Sequence, residues 1–277
     1  MLTLTPANCF ILVPPFVVLH MLFRFYFQKA VVNHFKDNKN CKKISESMFY
    51  FIQYSLFTVL STAIIVQNEI WWFNYEHLYI EKITWDSFSP LHATYLMLEL
   101  AVCISTAITW LFETRKNYAD FYMMVVHHAC TISLICFCMY SKNFNWGCAT
   151  ANLHDMSDIF LEFSKTIFYL GFDKASKYTF VLFAISFIFP RCYVFPVFMI
   201  APFFNGKLDE TLLKLDPNVD LLKAFTKLER KYIPSAFSVL FVLDCIWSVA
   251  ILNMAWGMFK KKEWKDIREK EAVSKSE

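Results

Sequence analysis

The sequence has little glycine and little charge, and it lacks several common site patterns. Only 4 of its 277 residues are glycine, which argues against glycine-rich phosphate-binding loops, and charged residues make up 18%. No two cysteines have the C-x-x-C spacing, so a zinc or thioredoxin-like site is not expected, and the nine cysteines are interpreted as small apolar residues. The net charge of +3 is too small to indicate nucleic-acid binding.

Apolar residues dominate what is present. Hydrophobic residues make up 57% and aromatic residues 19%, and the mean hydropathy is +0.37. A soluble domain of this length cannot hide so much apolar surface, so we expect an all-α polytopic membrane protein. About seven segments are long and apolar enough to span a bilayer, with no alternating barrel pattern. They are residues 10–27, 49–66, 90–112, 121–140, 146–170, 178–204 and 234–259.

Basic residues in the loops predict the orientation. The loop after the first segment, the short loop before residue 121 and the tail are basic, whereas residues 67–89 are mainly acidic. The positive-inside rule then predicts a lumenal N-terminus and a cytoplasmic C-terminus, although the basic loop at 205–233 disagrees. We expect a first transmembrane helix and cytoplasmic loop at 1–47, a six-helix domain at 48–259 and a charged cytoplasmic tail at 260–277.

Two polar clusters interrupt the apolar segments. His127 and His128 are adjacent in the fourth segment, and the fifth carries a stripe of ionisable residues. Ionisable side chains at this depth cost several kcal/mol, so they are functional candidates by default. The alternative interpretation is a set of paired charges that only hold helices together. The stripe comprises His154, Asp155, Asp158 and Glu162, followed by Lys165.

The spacing predicts that both clusters meet in one buried polar chamber. Residues three or four apart share a helix face, and antiparallel neighbours bring the histidines to the depth of Asp158 and Glu162. A di-iron site is not expected, because Met124 breaks the HxxHH pattern, while a single metal ion held by His and Asp stays possible. Metal-free acid–base or covalent chemistry at imidazole is the favoured prediction.

Two runs carry a resemblance to a known family. They are FETRKNYADFYMMVVHH at 112–128 and LHDMSDIFLEFSK at 153–165. A third run, RCYVFP at 191–196, shows a weaker similarity. Together they resemble the signature of ceramide synthases, in the TLC-domain superfamily, over about residues 45–258. The resemblance implies a seven-span enzyme of the endoplasmic reticulum membrane that joins a fatty acyl group from acyl-CoA to the amine of a sphingoid base.

The resemblance also implies residue roles. The family motif maps onto His127, His128, Asp155 and Asp158 as catalytic residues. We expect Asp158 to hold the substrate ammonium and Asp155 to steady an imidazolium. Substrate contacts are further expected from His154, Glu162 and Arg191.

The sequence also suggests residues that contact CoA, a set of partners and two alternative functions. Arg115 and Lys116 are candidates to bind the phosphates of CoA, although positive-inside anchoring is the favoured explanation of both. No metal or other cofactor is expected. The expected partners are acyl-CoA, a sphingoid base and membrane lipids, and a homodimer is possible. The alternatives are a non-catalytic TLC-type lipid-sensing or translocation-associated protein and a seven-helix receptor, which lacks motif support.

Overall fold

The protein is a bundle of long helices. A computed structural model describes residues 6–79, 90–112 and 121–261, and every regular element within these ranges is helical. The helices are α1 (Pro6–His34), α2 (Cys41–Asn68), α3 (Tyr75–Tyr79), α4 (Pro90–Phe112), α5 (Phe121–Tyr140), α6 (Phe144–Tyr169), α7 (Asp173–Phe189), α8 (Lys207–Leu215), α9 (Leu221–Ala224) and α10 (Lys227–Lys261).

Six helical stretches in the described part of the chain are long and apolar enough to cross a membrane. They correspond to α1, α2, α4, α5, α7 with its continuation, and α10. The protein is therefore a polytopic all-α membrane protein. The fifth predicted segment, at 146–170, forms α6, which has 26 residues but is not among the six, since it carries the polar stripe. A count of seven spans and a central chamber stay predictions.

Helix α6 packs most extensively against α2 and α7. Asn152 of α6 donates hydrogen bonds to Ser61 and Thr62 of α2, with N–O distances of 2.9 and 3.0 Å. Near the start of α6, Gly147 lets the helix approach α4, because a Cβ atom there would lie 2.8 Å from Cδ1 of Leu96. Polar α6 is thus enclosed by apolar helices, which keeps its side chains away from lipid.

The helix that begins as α7 changes its winding at Pro190. Residues Pro190–Ile200 form a π-helical segment, and a 3-10 turn at Ala201–Phe203 ends it. Proline has no backbone N–H, so Pro190 and Pro196 both interrupt the α-helical ladder. Such irregular turns are frequent at functional sites, and this one presents Arg191 at its beginning.

Helix α1 is tied to the bundle by His20. Its Nε2 lies 2.9 Å from Oε1 of Gln53 on α2, and its Nδ1 contacts the hydroxyl of Ser105 on α4. Gln53 and Ser105 are both buried.

We predict that His20→Leu destabilises the protein by about 1–3 kcal/mol, because the buried Gln53 loses its partner and the buried Ser105 loses one of its two hydrogen bonds. A drop in the detergent-solubilised thermal midpoint checks this. The double variant with Gln53→Leu should lose little more, since it removes one of the stranded groups. An unchanged midpoint in His20→Leu would contradict the assignment.

Helices α3 and α8 meet outside the spanning segments. Lys214 of α8 donates a hydrogen bond to Glu76 of α3, which holds the pKa of that carboxyl below its ordinary value and raises the pKa of Lys214. The contact is present above the ordinary pKa of glutamate and is lost as the pH falls through the lowered pKa. Because both groups are exposed, the ion pair contributes little stability and serves below as a control.

Candidate functional site

Five side chains from four helices converge beside α6. We call them the arginine cluster: His127 of α5, His154 and Asp158 of α6, Arg191 of the π-helical segment and Asp244 of α10. Arg191 is 3% exposed and Asp244 is 1% exposed, so the charges are removed from solvent. Four of the five come from residues singled out in the sequence.

Arg191 forms the centre of this cluster. Its Nη1 lies 3.2 Å from Oδ1 of Asp244, and its Nη2 lies 3.2 Å from Oδ1 of Asp158. The same Nη2 is 2.8 Å from the carbonyl oxygen of His154 and 2.9 Å from the hydroxyl of Ser157. The guanidinium carbon also lies 4.0 Å from the centre of the Phe187 ring, a cation–π contact. One cation therefore bridges two carboxylates and fixes α6, α7 and α10 relative to each other.

His154 is oriented by its backbone contact. Its Nδ1 lies 2.8 Å from the carbonyl oxygen of Thr150, which can only accept, so Nδ1 carries a proton. Its Nε2 lies 3.4 Å from Oδ2 of Asp244. A second proton on the imidazole would point at this carboxylate, so the pair is suited to hold or pass a proton.

The paired histidines of α5 occupy different surroundings. The His127 ring lies 5.7 Å from the ring of His128 and 5.3 Å from the ring of Trp247 on α10. The ionisable groups near His127 are His128, Arg191, His154 and Asp244. His127 Nδ1 and His128 Nε2 are buried without a hydrogen-bond partner among the described residues. Within the arginine cluster, His127 therefore has one ring nitrogen without a hydrogen-bond partner among the described residues.

The acidic stripe of α6 divides between two sides. His154 contacts Asp244, and Asp158 contacts Arg191. Asp155 instead interacts electrostatically with Glu99 of α4 more than with any other charged side chain. Glu162 is hydrogen-bonded to Lys165, with a distance of 2.6 Å. Each residue turns an α-helix by about 100°, so positions 155 and 162 lie on one side and 154 and 158 on another.

The sequence analysis missed two ionisable residues that lie here. Asp244 is part of the arginine cluster, and Glu99 is 7% exposed beside Asp155. Each is a single acid within an apolar run, and the cost of an intramembrane charge would have identified both. Arg115 and Lys116 lie outside the described residues.

The described residues contain no group of three or more histidine, cysteine, aspartate or glutamate side chains arranged to hold a metal ion. The arginine cluster instead supplies a fixed cation, two carboxylates and two imidazoles. Such a set can orient a nucleophilic or basic imidazole and stabilise charge that develops on it.

Comparison with known proteins identifies the family. The family model for the TLC domain matches residues 43–253. Ceramide synthase hyl-1 of Caenorhabditis elegans is 28% identical over 84% of the chain, and sphingosine N-acyltransferase lag1 of Schizosaccharomyces pombe is 28% identical over 84%. Ceramide synthase 4 of Bos taurus is 28% identical over 82% of the chain.

The matched regions make up 62%, 58% and 54% of these three relatives, so the chain spans a little over half of their length. The family match itself covers most of the chain and includes α2 to α7, the π-helical segment, most of α10 and every member of the arginine cluster. On this evidence the chain belongs to the TLC-domain family.

Proposed function

We propose that the protein is an acyltransferase of the ceramide synthase type, which transfers a fatty acyl group from acyl-CoA to the amine of a sphingoid base such as sphinganine or sphingosine. The observation that carries the proposal is the unpaired ring nitrogen of His127, which lies near Arg191, His154 and Asp244 in the arginine cluster. The names of the relatives support the same reaction. Purely structural charges would not need an unpaired imidazole at this position.

The reaction breaks the C–S bond of the thioester and forms an amide C–N bond. His127 either accepts the acyl group as an acyl-imidazole or removes a proton from the attacking amine, and His128 is the second candidate for either role. In both routes one proton of the ammonium goes to a base before attack. A second proton leaves the nitrogen as the amide forms, and the departing thiolate takes up one proton.

The contacts of the two aspartates support a different division of roles from the one expected. Asp158 was expected to hold the substrate ammonium, but its carboxylate is engaged by Arg191. Asp155 was expected to steady an imidazolium, but Asp244 is the carboxylate beside the histidines. We therefore propose that Asp244 stabilises imidazolium charge, while Asp158 holds Arg191 in place.

The remaining parts of the proposal concern location. The acyl chain would lie between apolar helices, and the charged CoA would stay on the cytoplasmic side, where Arg115 and Lys116 are expected. We propose the endoplasmic reticulum membrane as the location, with a lumenal N-terminus and a cytoplasmic C-terminus. No metal or organic cofactor is needed for this chemistry, and a homodimer remains possible.

The direct test is an assay of the purified full chain with sphinganine and palmitoyl-CoA, following free thiol by a colorimetric reagent and ceramide by mass spectrometry. We expect thiol release that depends on the amine and matches the amide formed. Absence of both products across acyl chains of different length would contradict the proposal and favour the non-catalytic lipid-sensing or translocation-associated alternative.

A further inference from the structure

Helix α4 carries a row of polar side chains that the proposed chemistry does not use. We call it the α4 row: His92, Tyr95, Glu99 and Cys103, spaced three or four residues apart so that they share one side of the helix. His92, Tyr95 and Glu99 are 3%, 0% and 7% exposed. A polar row at this depth is costly, so it needs an explanation other than contact with lipid.

The polar atoms of this row lack partners. Both ring nitrogens of His92, the hydroxyl of Tyr95 and Oε2 of Glu99 are buried and have no hydrogen-bond partner among the described residues. The other oxygen of Glu99 is 3.8 Å from the thiol of Cys103, a weak donor. Native proteins pair nearly all such atoms, so a concentration of orphaned ones calls for a polar partner from outside the described residues.

The α4 row has an unpaired carboxyl group as its neighbour on α6. Asp155 is 8% exposed, its Oδ2 is also buried without a partner, and Glu99 is its first electrostatic neighbour. Arg191 acts on Asp155 from a distance, but its guanidinium hydrogen-bonds to Asp158 and Asp244. Two neighbouring carboxyl groups are therefore left without a paired cation in the described part of the chain.

The chemistry that completes such a site is a small cation with several N–H donors. A primary ammonium supplies three donors and one positive charge, which match two carboxyl groups with unpaired oxygens. The Tyr95 hydroxyl lies near Ser61 of α2 and within electrostatic range of both Glu99 and Asp155, and it offers a partner for a hydroxyl group next to that ammonium. A sphingoid base has an amine flanked by hydroxyl groups.

We propose that Glu99 and Asp155 form the subsite that binds the ammonium group of the amine acceptor, with Tyr95 contacting an adjacent hydroxyl. This inference rests on the proposed function for the identity of the amine. Asp155 directly follows His154 of the arginine cluster, so the subsite lies at nearly the same level of α6 as the proposed acyl-transfer residues. One carboxylate takes a proton from the bound ammonium, which frees the nitrogen lone pair for attack on the acyl carbon.

The test separates amine binding from acyl transfer. The purified full chain in nanodiscs is titrated with radiolabelled sphinganine in the absence of acyl-CoA, and competition is measured with octadecylamine and with 1-octadecanol, which lacks the charge. We expect Glu99→Gln to weaken sphinganine and octadecylamine binding about tenfold or more and to leave octadecanol competition unchanged. The KM for sphinganine should rise similarly, with little change in the KM for acyl-CoA.

Controls keep the result interpretable. Glu76→Gln removes an exposed acid of α3 and should bind amines as the unmodified protein does. If Glu99→Gln does not fold, Tyr95→Phe replaces it and should weaken sphinganine binding more than octadecylamine binding, because only sphinganine has the hydroxyl.

Unchanged amine affinity in a folded Glu99→Gln protein would overturn the proposed subsite. Equal weakening of amine and alcohol binding would overturn it too, because that result indicates a structural role of Glu99 or a buried water molecule. For Tyr95→Phe, equal effects on sphinganine and octadecylamine would overturn it likewise. If the unmodified protein binds amines through Glu99 but makes no ceramide, the subsite stands and the proposed function fails.

Discussion

Replacing His127 with alanine is expected to lower acyl transfer to sphinganine at least about 100-fold while the protein stays folded. A positioned imidazole contributes about 10²–10⁴ in proton-transfer catalysis, and loss of a covalent acceptor costs at least as much. His127 is half-buried and makes one ring contact across to α10, so its removal leaves the ion pairs of Arg191 intact. The measurement is ceramide formation per folded molecule, with folding checked by size-exclusion chromatography.

Two further histidine variants serve as comparisons for His127→Ala. His128→Ala should also reduce turnover, but less, because the charged groups of the arginine cluster act on His127. His34→Ala, at the exposed end of α1, should have no effect. Wild-type turnover in a folded His127→Ala protein would remove this residue from the mechanism.

The same variants distinguish the two routes of transfer. If the acyl group passes through an imidazole, the unmodified protein incubated with radiolabelled acyl-CoA alone retains label, and His127→Ala does not. Ping-pong kinetics should accompany the label. If the amine attacks directly, the unmodified protein retains no label and both substrates must be bound together.

Hydropathy predicts the long helices well. An apolar segment in lipid must pair its own backbone N–H and C=O groups, and a helix is the structure that does so within one segment. The bounds of α4 and α5 agree with the predicted segments at 90–112 and 121–140. The last helix begins at Lys227 rather than near residue 234, because helical hydrogen bonds continue into polar sequence that hydropathy does not detect. The π-helical winding at 190–200 depends on how Pro190 and Pro196 are accommodated by neighbours, which the sequence alone does not provide.

The site was partly predictable for a similar reason. The energetic cost of buried charge selects His127, His154 and Asp158 without knowledge of the fold, whereas Arg191 was singled out by the family resemblance. It does not give the partners, since Arg191 and Asp244 are 53 residues apart and meet only through packing. Asp155 and Asp158 are three residues apart and share a face of α6, yet Asp155 has Glu99 of α4 as a neighbour and Asp158 is paired with Arg191, which only the packing of the surrounding helices decides.

Replacing Arg191 with methionine is expected to have the largest effect on stability, about 3–5 kcal/mol. The substitution keeps much of the side-chain volume but leaves the buried Asp244 and the partly buried Asp158 without their cation, which is the costly way to break a buried ion pair. We expect a much lower thermal midpoint in detergent and a loss of monodisperse protein. Lys214→Met, which breaks the exposed contact with Glu76, should change the midpoint little.

A compensating variant tests whether charge balance is the cause. Combining Arg191→Met with Asp158→Asn and Asp244→Asn removes the stranded charges, so stability should partly return while acyl transfer stays lost. Arg191→Lys should be intermediate, because a single ammonium keeps the charge but lacks the planar fork that reaches both carboxylates. A wild-type midpoint in Arg191→Met, or no recovery in the triple variant, would mean that the arginine acts through packing alone. In the expected case α6, α7 and α10 are held together by the same charges that orient the imidazoles, so stability and catalysis depend on one cation.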